Sequence, residues 1–152
     1  MNKIYETYKD RIEFYLIYIR EAHPSDGWQV RSNLDDHVEF LEPQNEDARA
    51  ELAKVCQLNL GFTMPILLDN MDNEVEVKYA ALPERLYVLA ANGKVFFRGI
   101  MGSRGFDVDT WLQAFKEQAN ISGVQTAETD YPPFHCEVGR TSGTCYLSPG
   151  RK

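Results

Sequence analysis

The stretch from Ile12 to Trp28, I-E-F-Y-L-I-Y-I-R-E-A-H-P-S-D-G-W, constrains this chain more than any other. Its first half, Ile12 to Ile19, carries a single charge, Glu13, and is dense in β-branched and aromatic side chains. A run of that kind predicts a strand buried on both faces, as inside a parallel sheet. The second half is a block of polar, turn-forming and titratable residues. In open α/β sheets, ligands collect where strands end at the carboxyl edge, which makes Glu21, His23, Ser25, Asp26 and Trp28 the first candidates for a site.

The chain has 152 residues, 43% of them hydrophobic and 12% aromatic, enough for one domain with a real core. A formal net charge of −7 with no Lys/Arg cluster argues against nucleic acid or an anionic membrane as the main partner. The longest apolar run falls well short of the roughly 18 residues that span a bilayer, and the amino terminus lacks a signal-peptide pattern. A soluble, cytoplasmic protein is therefore expected. Cys56, Cys136 and Cys145 form neither a C-x-x-C pair nor a metal-ligand cluster, and no metal is expected.

Periodicity supplies the remaining elements. Ile4 and Tyr8 mark the tail of an amphipathic helix leading into the strand. Gln29 to Pro43 reads as a surface excursion with a short strand near Val38 to Leu41, and His37 there as a solvated side chain. Asn45 caps a helix whose first turn holds Glu46 and Asp47, with Ala48, Leu52, Val55 and Cys56 on its apolar face and Cys56 acting as a small buried hydrophobe. Met64 to Asp69 is a second strand, and Asn73 to Ala80 a brief helix before a turn at Pro83. Leu86 to Leu89 and Lys94 to Arg98 form a hairpin about Asn92-Gly93, with positive φ expected at that pair. Asp107 caps a closing helix whose face is Val108, Trp111, Leu112 and Phe115. The order strand, helix, strand, helix, Pro turn, hairpin, helix is that of the carboxyl-terminal two-thirds of a thioredoxin-like fold.

Two motifs carry a resemblance. Glu21-Ala22-His23-Pro24-Ser25-Asp26-Gly27-Trp28 and Tyr79-Ala-Ala-Leu-Pro-Glu-Arg-Leu-Tyr87, followed by the Gly-rich stretch Gly99 to Phe106, resemble the iodothyronine deiodinase family and its bacterial relatives. The resemblance covers roughly Tyr5 to Glu117. It implies an α/β thioredoxin-like fold, a mixed sheet flanked by helices, and reductive dehalogenation in which a selenolate or thiolate attacks an aryl iodine while a proton reaches the ring carbon. His23 and Glu21 match the family's proton relay. The chemistry suits an imidazole that titrates near neutrality beside a carboxylate. Alternating strand geometry would put both on one side if the strand extends that far. The residue types alone leave a second reading, in which His23 only closes a hydrogen-bonded turn with Ser25 and Asp26. Pro83 falls where thioredoxin-like folds set a cis-proline against the active site. Glu84 is a further catalytic candidate, and Arg85 is expected to pair with it. Ser25, Asp26, Trp28, Pro83 and Arg85 are assigned to substrate binding. The family's vertebrate members use a further His where this chain reads Glu42-Pro43-Gln44-Asn45, which puts iodothyronine itself in question as the substrate.

The family's nucleophile, selenocysteine or cysteine followed by Pro-Pro-Phe, lies after a strand ahead of Ile12, at a helix amino end whose dipole stabilises the anion. No cysteine precedes Ile12. The expectation is that residues 1–120 form a deiodinase-like domain without its first strand and active-site loop, and that an upstream UGA selenocysteine codon was taken for a stop. Residues 121–152 read as an irregular Pro/Gly/Cys-containing tail. Its Tyr131-Pro-Pro-Phe134 echoes the family motif, but Ser122 to Asp130 lacks the buried strand that a permuted chain needs. Cys136 and Cys145 could close a small loop in an oxidising compartment.

The main reading is thus a deiodinase-like oxidoreductase acting on a small molecule, a halogenated aromatic, with an external thiol reductant and no cofactor. The alternatives are a thiol peroxidase or disulfide reductase on the same scaffold, or a nucleophile-free domain that binds a partner or forms a homodimer through its exposed sheet.

Overall fold

The structure, a computed structural model, describes residues 1–102 and 105–119. The tail beyond 120, with Cys136, Cys145 and the Pro-Pro-Phe echo, lies outside the described residues.

Helix α1 (Asn2–Tyr8) buries Ile4 and Tyr8, as their spacing predicts. The chain then enters β1 (Leu16–Tyr18), which pairs in parallel with β2 (Ile66–Leu68) in the register Leu16↔Ile66. Between them lie the short α2 (Arg31–Asp35) and the long α3 (Glu46–Leu60). Helix α4 (Glu74–Tyr79) follows β2, and β3 (Tyr87–Leu89) and β4 (Val95–Arg98) form an antiparallel hairpin before α5 (Val108–Gln118). The core gathers Ile4 and Tyr8 of α1, Phe14, Leu86 and Val88 of the β3 segment, and Trp111, Ala114 and Phe115 of α5. Its aromatic rings meet edge to face: Phe14 stands 6.0 Å from Trp111 and 5.8 Å from Phe115. The Trp111 indole N–H is satisfied by the Tyr87 carbonyl at 2.8 Å, which fixes α5 against β3.

Helix capping follows the sequence. Asn45 Oδ1 accepts from the Ala48 N–H at 2.9 Å, and Gly61 ends α3 in the left-handed conformation at φ 63°. Asp107 Oδ1 accepts from the N–H groups of Asp109 and Thr110 at 3.0 and 3.1 Å.

Four expectations are corrected. The first strand is not buried on both faces: Phe14 is enclosed, but Tyr15 and Ile17 are 54% and 41% exposed, so the run alternates. The region 38–41 forms no strand, and the excursion instead holds α2. The buried face of α3 is Arg49, Leu52 and Ala53, with Cys56 half-buried, while Ala48 and Val55 are exposed. A buried arginine at the centre of the stripe rotates the face by about one residue from where hydrophobicity places it. In the hairpin only Gly93 takes a positive φ, 79°. The turn closes from the Gly93 N–H to the Ala90 carbonyl at 2.9 Å, and a bulge between Val88 and Leu89 absorbs the extra residue.

Replacing Asp107 by Ala should lower stability by about 1 kcal/mol through loss of the α5 cap. Urea unfolding of the two proteins measures it; an unchanged midpoint would show that α5 holds without its cap.

Candidate functional site

Strand β1 ends at Tyr18, so strand alternation does not reach Glu21 and His23. Their placement comes from side-chain hydrogen bonds instead. The Tyr18 hydroxyl donates to Glu21 Oε1. The Glu21 backbone N–H donates to Glu42 Oε2 at 3.0 Å, and the Glu42 N–H to Asp26 Oδ1 at 3.0 Å. The Ser25 N–H donates to the Phe40 carbonyl at 2.7 Å, and Gly27 closes a turn onto the Pro24 carbonyl at 3.0 Å. The block from residue 21 to 28 is therefore stitched to residues 40–42, the far end of the excursion.

His23 does not bond to Ser25 or Asp26. Its Nδ1 lies 3.2 Å from the Trp28 carbonyl oxygen, and its ring meets the Trp28 indole edge to face at 4.6 Å. A carbonyl only accepts, so Nδ1 carries the proton and Nε2 is left for proton exchange. Trp28 is 73% exposed, a large aromatic surface held against the imidazole.

Arg49, 1% exposed, lies behind this block. Its Nη2 is 3.3 Å from Glu42 Oε1 and 2.9 Å from Asn73 Oδ1. Its Nη1 reaches the carbonyls of Asp69 and Asn70 at 3.2 and 2.6 Å. Asp69 in turn accepts from the N–H groups of Asn70, Val75 and Glu76 at 2.8–2.9 Å, fixing the start of α4.

Burial sets the acid–base character of the site. It pushes the Glu21 carboxyl up, assisted by the Glu42 charge and opposed by the Tyr18 hydrogen bond, Arg49 and His23. Burial, with the Glu21 charge, also raises the Tyr18 hydroxyl. The Cys56 thiol lies against Tyr18 and is raised by burial and then by Glu21. Cys56 is thus a half-buried neighbour of the site and a poor thiolate, where the sequence suggested a plain core residue.

The Leu82–Pro83 peptide is cis, as expected. Gly102, at φ 69°, packs on Pro83: a Cβ there would stand 3.3 Å from Pro83 Cδ. The Gly102 N–H donates to the Glu84 carbonyl at 3.1 Å. Glu84 and Arg85 do not form the expected pair: Glu84 Oε2 and Arg85 Nε are buried without partners among the described residues. Burial pushes the Glu84 carboxyl up to about 7. No hydrogen bond or ion pair among the described residues joins this group to the Tyr18–Glu21–His23 cluster.

Sequence reasoning missed Tyr18, Glu42 and Arg49. Tyr18 was absorbed into the apolar run, though a phenol three residues before a buried carboxylate is a usable signal. Arg49 gave none, because helix periodicity assigns an arginine to solvent.

An α/β scaffold with a cis-proline before its antiparallel hairpin and a half-buried carboxyl with a nearby imidazole just beyond a strand end is of the thioredoxin-like class. The iodothyronine deiodinase family model matches residues 1–119, and the chain belongs to that family. Type I iodothyronine deiodinase of Xenopus laevis is 37% identical over 106 residues, covering 69% of this chain and 39% of that protein. Thyroxine 5-deiodinase of Ovis aries is 32% identical over 119 residues, covering 76% and 39%, and that of Homo sapiens 32% over 120 residues, covering 76% and 38%. The chain thus spans about two fifths of the length of these relatives.

The unfolded chain ionises Glu84 near 4.5, whereas the folded chain keeps its proton until about pH 7. The contribution of Glu84 to stability is therefore fully present below pH 4.5 and declines as pH rises to 7, by about 1–2 kcal/mol after allowance for the solvated part of the side chain. Glu84→Gln should flatten that decline. Urea midpoints at pH 4.5, 6 and 7.5 read it, and parallel slopes for both proteins would remove the buried-acid assignment.

Proposed function

We propose that this chain carries the proton-delivering part of a deiodinase-like site for reductive dehalogenation of a halogenated aromatic. The observation that carries the reading is the Tyr18–Glu21 hydrogen bond beside the His23–Trp28 pair, in the segment whose motif gives the family resemblance. The nucleophile, selenocysteine or cysteine, is proposed to lie on a strand and loop ahead of Met1. Support for that comes from the sheet: β1–β2 and β3–β4 are separate two-stranded sheets among the described residues, as a mixed sheet would be without its middle strand.

In this mechanism the selenolate or thiolate attacks the iodine, forming a Se–I or S–I bond as the C–I bond breaks. The electron pair stays on the ring carbon, which takes a proton. His23, with Nδ1 held by the Trp28 carbonyl, presents Nε2 for that transfer. Glu21, its carboxyl raised by burial and held by the Tyr18 hydroxyl, is protonated more readily than an exposed glutamate and resupplies His23 with the proton given to the ring. Two external thiols then reduce the Se–I or S–I bond, releasing iodide and a disulfide and regenerating the nucleophile. Trp28 offers an aromatic face for the substrate ring, Ser25 and Asp26 hold the turn that carries it, and Pro83 and Arg85 are assigned to substrate binding by their place in the second family motif. Glu84, its carboxyl pushed up to about 7 by burial, is a second candidate proton source.

In a chain extended upstream through an in-frame selenocysteine or cysteine, iodide release from an iodinated aromatic with dithiothreitol is expected. His23→Ala and Glu21→Gln should each lower it about 10²–10⁴-fold. Peroxide turnover without iodide release would instead make the chain a thiol peroxidase, and neither activity would leave a binding domain.

A further inference from the structure

We infer that Arg49 is a positioning residue for Glu21, acting through Glu42 from the buried side of α3. The inference rests on the reading of Glu21 as part of a proton relay, and it extends that reading to a residue pair outside the motif. Glu42 is the connecting piece. One of its carboxylate oxygens lies 3.3 Å from Arg49 Nη2 and the other accepts the Glu21 backbone N–H at 3.0 Å. Its own N–H holds Asp26 Oδ1 at 3.0 Å. A guanidinium is rigid and planar, so fixing Arg49 fixes Glu42, and fixing Glu42 fixes the backbone on which Glu21 is mounted. Arg49 is itself immobilised by two carbonyls at the end of β2 and by Asn73 at the head of α4.

The pair also acts on charge. Tyr18 from β1, Cys56 and Arg49 from α3, and Glu42 and His23 from the connecting loop are the titratable and charged groups that face Glu21. Glu42 favours the protonated form of Glu21 and Arg49 the ionised form, so the two oppose each other across one carboxyl.

The test is a ¹³C carboxyl titration of Glu21 in the whole 152-residue chain, with the resonance assigned through Glu21→Gln. Glu42→Gln keeps shape and removes a negative charge, and should move the Glu21 midpoint down. Arg49→Met should move it up, and Arg49→Lys should return it toward the wild-type position. An unmoved midpoint in Glu42→Gln, or shifts of the same sign in Glu42→Gln and Arg49→Met, would reduce Arg49 to a structural tie and overturn the inference. If Arg49→Met does not fold, Arg49→Gln takes its place in the same comparison. The titration needs no nucleophile and no turnover. Its failure therefore leaves the dehalogenation reading standing, and absence of iodide release leaves the Arg49–Glu42–Glu21 linkage standing.

Discussion

A single buried guanidinium holds the connections of this fold together. Arg49 receives Glu42 from the loop after β1, the carbonyls of Asp69 and Asn70 from the end of β2, and Asn73 from the start of α4. Taking a charge out of water is costly, and an arginine survives at 1% exposure only because its fork of donors meets acceptors on several sides. Breaking a buried pair of this kind typically costs about 3–5 kcal/mol, because the remaining charge stays buried alone. Asp69 complements it from the other side, bonding three backbone N–H groups at the entrance to α4. The β2–α4 connection is thereby fixed by polar contacts where the short strands offer little ladder.

The same enclosure gives the site its chemistry. Tyr18, Glu21 and Cys56, and separately Glu84 beside the cis-proline, are shifted upward with burial as the first cause, so each binds its proton more tightly than an exposed counterpart. A carboxyl whose proton affinity is raised by burial is a better donor than an exposed one, and the geometry places Glu21 against the Tyr18 phenol. Among the described residues, no helix is long and apolar enough to cross a membrane.

Much of this was legible in local sequence. Asn45 and Asp107 mark helix starts because their side chains bond the first free N–H groups, an interaction spanning two or three residues. Glu21 to Trp28 stood out by its density of polar types after an apolar run. What escaped the sequence reading involved partners far apart in the chain. The exposure of Tyr15 and Ile17 depends on what packs over β1. The orientation of α3 depends on acceptors at 69, 70 and 73 that an arginine at 49 can reach only once β2 is in place.

By itself, the sequence determined the order of helices and strands outside the 29–43 excursion, the caps, the hairpin and the block in which the candidate acids and imidazole reside. Each of these follows from contacts between near neighbours or from the period of apolar residues. Tertiary structure alone decided that Glu21 bonds Tyr18 and is braced by Glu42, that His23 leans on Trp28, and that Glu84 and Arg85 stay apart. The physical reason is that burial, hydrogen-bond partnership and the resulting proton affinity belong to an environment assembled from distant segments. No local pattern encodes which charge will face which carboxyl.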